Sequence, residues 1–302
     1  MIENTQYDAI IVGGSYSGLA AGMALGRALK QVLIIDSAEP CNKQTPYSHN
    51  FLTQDGNTPT AIATLGKQQV KNYDTVEFFN GLATFGREAE SGFEIQVSSG
   101  EIFLADKLIF ATGISDIMPA IDGFAACWGV SALHCPYCHG YEVRHEPTGI
   151  LGNGEHGYEL STLISNWASD LTLFTNGASA LTAEQTEKLQ KHHIEIVEKE
   201  IEKFEHLNGQ LENIHFTNGT TSAIKAIYAR NPFEQHCQIP ESLGCGLKDE
   251  GYIRVNPFQE TTIDGVFACG DNASRIRTVA NAVAMGTTAG MMASKQMIFE
   301  SF

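Results

Sequence analysis

A short apolar stretch that runs into a glycine loop decides the fold of this chain. It reads Tyr7-Asp-Ala-Ile-Ile-Val-Gly-Gly-Ser-Tyr-Ser-Gly18, and a run of small residues follows it. The apolar centre is typical of a strand buried in a parallel sheet, and the small residues are typical of a helix. A second apolar run lies at 31–36. The segment therefore predicts a βαβ unit.

The same strand–loop–helix pattern occurs again in the middle of the chain. Gly149-Ile-Leu-Gly-Asn-Gly-Glu-His-Gly157 precedes a helix-compatible run, and another apolar strand follows at 170–175. Residues 84–97 alternate in character between the two copies, which is typical of an antiparallel excursion. Near the end of the chain, a buried strand at 265–271 ends in Gly-Asp and a long helix-compatible stretch runs from Thr278 to Phe299.

These patterns predict an α/β fold with two Rossmann-like dinucleotide-binding domains, the second inserted in the first. We expect the split domain to comprise 1–117 and 240–302, and the inserted domain to comprise 118–239. The length of 302 residues is consistent with two domains.

The first glycine loop fits the requirements of a pyrophosphate. Such a group needs backbone N–H donors at a helix N-terminus and a close approach free of Cβ atoms. Gly13, Gly14 and Gly18 supply this, with Ser15 where the usual Gly-x-Gly-x-x-Gly pattern has its second glycine. Asp36 ends the next strand, where a carboxylate hydrogen-bonds a ribose diol. A tight structural turn and a solvated acid at the end of a strand are the alternative interpretations.

The segment His134-Cys135-Pro-Tyr-Cys138-His139 carries the chemistry of the inserted domain. A Cys-x-x-Cys thiol often has a depressed pKa and acts as a nucleophile near neutral pH, and an adjacent histidine exchanges protons in that range. Zinc would require a second ligand pair, and c-type haem attachment normally requires export. Buried structural thiols are a further alternative. Redox chemistry at Cys135 and Cys138, with His139 moving the proton, is the favoured interpretation.

Composition excludes several classes of partner. The formal net charge is −16, from 19 Lys+Arg against 35 Asp+Glu, which argues against nucleic acid and anionic membrane surfaces. No apolar run is long enough for a membrane span, and the N-terminus lacks the pattern of a secretory signal. Seven cysteines spread over the chain are unlike a secreted disulfide framework, so we expect a cytoplasmic protein.

Taken together, these residues resemble the low-molecular-weight thioredoxin reductases of the pyridine-nucleotide disulfide oxidoreductase class, over nearly the whole chain. The resemblance implies FAD in the split domain, contact between the Cys138 thiolate and the flavin, a homodimer, and a domain rotation that alternately exposes the dithiol. It further implies cofactor contacts from the loop that contains Asn42 and His49, and from the residues that end two strands: Ala111, Thr112, Gly113, Gly270 and Asp271.

The chain also departs from the pattern of this family. The proton donor after the second cysteine is usually Asp, whereas this chain has His139. In this feature the chain is more similar to the branch of dithiol oxidases that close disulfides in natural products. Conventional members carry arginines that grip the 2′-phosphate of NADPH, but residues 174–181 carry no positive charge. Gly152, Gly154 and Gly157 still match a nucleotide loop, so NAD(P)H remains open as an electron partner.

The sequence thus predicts a flavin-dependent thiol–disulfide oxidoreductase that exchanges electrons with a thioredoxin-like protein or with a small-molecule disulfide or dithiol. Cys135 is expected to react with the substrate and Cys138 with the flavin. Two alternatives share the fold: an oxygen-using dithiol oxidase, and a flavin redox sensor that does not turn over.

Overall fold

The computed structural model describes residues 6–302, which form two compact units. The first consists of the described part of Met1–Lys43 together with Phe51–Ser115 and Phe233–Phe302. The second consists of Asp116–Pro232 and the short segment Gln44–Asn50. Each unit is built around a parallel sheet, and the predicted α/β class is confirmed.

The N-terminal part of the chain builds most of the sheet of the first unit. Four neighbouring strands run parallel in the order β3-β2-β1-β6, and β5 and β4 extend the sheet antiparallel, as the alternation at 84–97 predicts. The elements are β1 (Gln6–Val12), α1 (Tyr16–Arg27), β2 (Val32–Asp36), α2 (Pro59–Val70), β3 (Val76–Asn80), β4 (Ala83–Glu88), β5 (Phe93–Val97), β6 (Ile102–Phe110) and β7 (Ile114–Asp116).

The second unit contains a parallel sheet and a smaller antiparallel one. The parallel sheet has the order β11-β10-β9-β15-β8, and β12, β13 and β14 form the antiparallel sheet, most of which the sequence patterns did not predict. The elements are α3 (Phe124–Cys127), β8 (Ala132–Leu133), α4 (Pro136–His139), β9 (Thr148–Leu151), α5 (Gly154–Ile164), β10 (Leu171–Phe174), α6 (Ala183–Lys191), β11 (Glu195–Val197), β12 (Ile201–Leu207), β13 (Gln210–Phe216), β14 (Thr221–Ala223) and β15 (Ala226–Ala229).

The chain returns to the first unit at Phe233, earlier than the expected boundary at 240. The buried amide of Gln235 fixes this return, because it donates to the carbonyl oxygens of Gly251 at 2.8 Å and Asn272 at 2.9 Å. The strand near the C-terminus then adds to the first sheet beside β6. The last elements are β16 (Phe233–Gln235), α7 (Ile239–Ser242), β17 (Val266–Ala268) and α8 (Val279–Ser301).

The sheet of the first unit separates two apolar cores. Ile10 and Ile35 pack into one core, and their neighbours Ile11 and Ile34 pack into the other, because successive side chains of a strand point to opposite faces. On the second face, α8 crosses α1 at such close range that a Cβ on Gly286 would overlap the backbone carbonyl of Ser17. Across residues 6–302, the structure contains no helix of the length and apolarity that a bilayer crossing needs.

Candidate redox and cofactor sites

The first glycine loop folds more tightly than any residue with a side chain would allow. Gly13 has a φ of +104°, and a Cβ on it would overlap the carbonyl oxygen of Ala111. A Cβ on Gly18 would overlap the carbonyl oxygen of Gly13. The amide of Gly14 donates to Asp36 Oδ1 at 3.1 Å, so the predicted ribose-binding carboxylate lies directly against the loop.

Helix α1 presents its N-terminus at this loop. Ser15 is the N-cap residue, and its side chain makes no capping hydrogen bond among the described residues. The backbone N–H groups of the first turn are therefore donors for an anion, and the helix dipole favours negative charge there. Asn42 reaches the same end of the helix, where its amide donates to the hydroxyl of Tyr16 at 3.3 Å.

The residues that follow β6 and β17 lie side by side, because the two strands are parallel neighbours. Gly113 has a φ of +66°, and a Cβ on it would meet no described atom within 4 Å. Asn272 is fully buried, and its amide nitrogen donates to Thr112 Oγ1 at 3.3 Å. Its Oδ1 has no hydrogen-bond partner in the part of the chain that the structure describes. Asp271 lies beside Arg277 at 3.7 Å.

These features fit FAD in the first unit. The loop and the free helix terminus match a pyrophosphate, Asp36 matches a ribose, and the open position at Gly113 leaves room for a ligand. A buried amide oxygen without a partner is costly, and a bound polar group removes that cost. Ala111, Thr112, Gly113, Gly270 and Asp271 all belong to the first unit, and their contact with FAD stays a prediction.

The cysteine pair lies at the start of α4 in the second unit. Cys135 and Cys138 form a disulfide with their Cα atoms 5.3 Å apart, which lies within the usual range for this bond. Cys135 precedes the helix and Pro136 occupies its first turn, where a residue without an N–H is favourable. Both cysteines are half-buried.

His139 ends the same helical turn and is held in its neutral form. Burial and, to a smaller degree, the nearby His49 lower the pKa of His139 to about 4. Glu142 follows in the next turn, and its Oε1 lies 3.6 Å from Nδ1 of His49. The sequence placed His49 among the flavin contacts. In the structure it belongs to the second unit, beside Glu142, and its contact with a flavin stays a prediction.

The second glycine loop has the tight packing of a nucleotide loop, but one of its amides is already paired within the protein. A Cβ on Gly157 would lie 2.9 Å from the carbonyl carbon of Gly152. The side chain of Asn153 fills the loop, where its Oδ1 accepts from the amides of Gly154 at 2.8 Å and Ala180 at 2.7 Å. Its amide nitrogen donates to the carbonyl oxygen of Ala178 at 2.9 Å.

The charge around this second loop is negative. Glu155 lies in the first turn of α5, where its carboxylate accepts a hydrogen bond from Gln185 at 2.6 Å. The sequence contains no Lys or Arg between Arg144 and Lys188, and it contains six carboxylates there. Lys188 itself is paired with Glu184 at 2.7 Å. An anionic ligand at this loop therefore meets the carboxylate of Glu155, and Arg230, which follows the neighbouring strand β15, is paired with Glu159 of α5 at 3.1 Å.

Sequence reasoning did not identify Asn153, Glu142 or Asn272 as site residues. Asn153 stands inside the quoted loop pattern, and an asparagine at a helix N-cap is a recognisable signal. The pairing of Glu142 with His49 joins positions far apart in the chain, so no local pattern indicates it. The Asn272 side chain follows the Gly-Asp motif directly, yet only burial distinguishes it from a solvated amide.

Comparison with known proteins decides the family. The model of the pyridine nucleotide-disulphide oxidoreductases matches residues 7–286. The chain belongs to this family. The thioredoxin reductase tcpT of Claviceps purpurea is 30% identical, over 96% of this chain and 94% of its own length. An oxidoreductase structure from Agrobacterium tumefaciens superposes with a TM-score of 0.92 at 31% identity, covering 98% of this chain and 99% of the other.

A second solved structure supports the same assignment. A putative thioredoxin reductase TrxB from Bacillus anthracis has a TM-score of 0.93 at 27% identity, covering 98% of this chain and all of its own. This pyridine nucleotide-disulphide oxidoreductase is thus a thioredoxin reductase-like, FAD-dependent disulfide oxidoreductase, as the motifs predicted.

Proposed function

We propose that this oxidoreductase works as a dithiol oxidase, taking an electron pair from a substrate dithiol and passing it to dioxygen. The observation that carries the proposal is the second glycine loop, where Asn153 caps the amide of Gly154 and the first helical turn carries Glu155. A 2′-phosphate beside residues 174–181, which contain no Lys or Arg, would lack several charge-assisted hydrogen bonds, each worth about 1.5–3 kcal/mol. Electrons from NADPH are therefore disfavoured relative to electrons from a dithiol.

The first unit supplies the cofactor site in this proposal. We infer that Gly13, Gly14, Ser15 and Gly18 receive the FAD pyrophosphate at the N-terminus of α1 and that Asp36 receives the adenosine ribose. The remaining contacts would come from Asn42, Ala111, Thr112, Gly113, Gly270 and Asp271. When bound, FAD supplies a two-electron acceptor that dioxygen reoxidises.

The cysteine pair performs the exchange with the substrate. A substrate thiolate attacks Cys135 Sγ, the Cys135–Cys138 bond breaks, and Cys138 leaves as a thiolate. The second substrate thiolate then attacks the substrate sulfur of the mixed disulfide and releases Cys135. The substrate loses two electrons and two protons. The cysteine pair gains both electrons, one proton moves to His139, and the other protonates the released Cys135 thiolate. His139 is neutral at physiological pH because of its low pKa, so it accepts the proton of the attacking thiol.

Anaerobic titration of the FAD-loaded enzyme tests the direction. We expect a dithiol to bleach the flavin absorbance within catalytic turnover times, and NADPH to bleach it at least about 100-fold more slowly, because two or more lost hydrogen bonds to its 2′-phosphate reduce binding by at least that factor. Cys138→Ser is the control variant. It should abolish bleaching by dithiol, whereas hydride from a nucleotide would reach the flavin without either cysteine.

A nucleotide-fed reductase is the second candidate, because the close packing of Gly152 on Gly157 retains the geometry of a nucleotide loop. Fast bleaching by NADPH or NADH in both the wild type and Cys138→Ser would establish this candidate, with Gly152, Gly154 and Gly157 as the pyrophosphate site. Slow reduction by every donor, with partner binding that depends on redox state, would instead support the sensor.

We further infer a cytoplasmic homodimer that acts on a thioredoxin-like protein or on a small-molecule dithiol. Cys127, Cys237, Cys245 and Cys269 are free thiols, which suits a reducing compartment. Large apolar side chains such as Leu52 and Met291 are exposed on the first unit, and a second copy would cover them. Light scattering of the purified enzyme at micromolar concentration measures the oligomeric state, and a monomeric mass would contradict this inference.

A further inference from the structure

His139 directly follows Cys138, and two further ionisable side chains, His49 and Glu142, lie near it; the exchange derived above uses only His139. The backbone N–H of Glu142 donates to the carbonyl oxygen of His139 at 3.2 Å, so Glu142 lies one turn after His139. His49 belongs to the same unit, with its Nδ1 3.6 Å from Glu142 Oε1. A histidine–carboxylate pair thus adjoins the residue that accepts the thiol proton.

Tyr228 extends this group into the interior. Its side chain is 1% exposed in β15, and within residues 6–302 its hydroxyl has no hydrogen-bond partner. Burial and the charge of Glu142 raise the pKa of Tyr228. The phenol therefore stays protonated and keeps its O–H as a hydrogen-bond donor. In the pair formed by His49 and Glu142, the charge of His49 thus acts on His139 and the charge of Glu142 acts on Tyr228.

The reaction needs such a group because His139 cannot keep the proton. Burial lowers the pKa of its imidazole to about 4, so an imidazolium formed during attack must lose its proton at once near neutral pH. A carboxylate in contact with a second imidazole stabilises the charge there. The side chains of His49 and Glu142 are 20% and 39% exposed, so the proton approaches solvent along this pair.

We propose that His49 and Glu142 form the proton exit of the redox centre. The S–H bond of the substrate thiol breaks as its proton moves to His139, and the sulfur keeps the electron pair with which it attacks Cys135. The proton then moves to His49, where Glu142 stabilises the charge, and leaves to water. The relay rests on the disulfide exchange of the proposed function and works in reverse if the enzyme is a reductase.

The pH dependence of the reductive half-reaction tests this relay. The FAD-loaded enzyme is mixed anaerobically with dithiothreitol between about pH 6 and pH 9, and the flavin absorbance is followed. General acid–base catalysis contributes about 10²–10⁴-fold, so we expect His49→Gln and Glu142→Gln each to slow reduction about 10–100-fold near pH 7. The deficit should shrink towards pH 9, because the substrate thiols then ionise without a base. Added imidazole should partly restore His49→Gln.

A histidine–carboxylate pair elsewhere in the same unit provides the matched control. His215 Nε2 lies 3.0 Å from Glu205 Oε2 on the antiparallel sheet, so His215→Gln removes similar chemistry and should keep the wild-type profile. The relay would be overturned if flavin reduction in His49→Gln and Glu142→Gln were slowed equally at every pH and imidazole had no effect. It would also be overturned if neither of these two variants were slowed. If a variant loses FAD or stability, the wild-type enzyme provides the test. Its rate of flavin reduction should show a solvent deuterium isotope effect near pH 7 that vanishes by about pH 9. Absence of this isotope effect near pH 7 would contradict the relay.

Failure of the proton relay can be distinguished from failure of the proposed dithiol oxidase activity. Dithiothreitol reduces the disulfide whichever electron partner the enzyme uses, so the comparison of pH profiles stays valid. An enzyme that NADPH bleaches rapidly would contradict the oxidase proposal and leave the relay intact.

Discussion

At His139, directly after the Cys135–Cys138 disulfide, the protein holds an imidazole in its neutral form. The conventional aspartate at this position donates a proton, whereas a neutral imidazole accepts one. This difference in chemistry suits the oxidation of a thiol, since the attacking sulfur must first lose its proton. The histidine at position 139 by itself indicates a group that carries protons. The lowering of its pKa follows from burial, which the sequence does not reveal.

The low pKa of His139 also predicts how stability depends on pH. The folded pKa of about 4 lies below the usual value of 6.5, so the unfolded chain binds the proton more strongly in this window. Stability from the neutral ring is complete above about pH 6.5 and is lost as the pH falls towards 4. The loss is on the order of 1–3 kcal/mol. As the pH falls from about 6.5 to 4, the melting temperature of His139→Gln should therefore decrease less than that of the wild type.

Thermal unfolding followed by circular dichroism, at steps across this window, measures the difference. His145→Gln is the control, because His145 is exposed and lies in the turn after α4. That variant should follow the wild-type curve. Identical curves for the wild type and His139→Gln would show that the imidazole is not held neutral by burial.

At the scale of elements, the two βαβ units could be predicted because their strands are continuous apolar runs and their loops require glycine. Gly13 has a positive φ, and its environment leaves no room for a Cβ, so its identity already indicates the turn. The antiparallel sheet of β12, β13 and β14 was largely missed. Its strands place buried apolar residues between charged ones, as in Ile201–Leu207, and a solvated segment has a similar composition.

The close crossing of α1 and α8 couples the C-terminal helix to the cofactor site. A Cβ on Gly286 would overlap the Ser17 carbonyl, and Ser17 lies in the first turn of α1, which we assign to the FAD pyrophosphate. We expect Gly286→Ala to cost about 1–3 kcal/mol of stability, as overpacking usually does, and to weaken retention of FAD by displacing that turn. Melting temperature and the ratio of flavin to protein absorbance measure both effects.

Thr287 offers the matched control for this substitution. It follows Gly286 in α8 and is exposed, so Thr287→Ala should leave both quantities near their wild-type values. Retention of FAD at the wild-type ratio in Gly286→Ala would show that the helix terminus tolerates displacement. The pyrophosphate assignment would then need other donors.

At the scale of the whole molecule, the net charge of −16 predicts which substrates approach the disulfide easily. The negative charge of the protein exerts no net electrostatic force on a neutral dithiol, whereas it repels an anionic dithiol at low ionic strength. The rate with dithiothreitol should therefore change by less than about 2-fold between about 0.05 and 0.5 M salt. The rate with an anionic dithiol such as dimercaptosuccinate should rise several-fold over the same range, because screening removes the repulsion. Stopped-flow reduction of the FAD-loaded enzyme compares the two substrates at matched pH. Equal salt dependence for both would show that the local surroundings of Cys135, rather than the charge of the whole molecule, govern access to the disulfide.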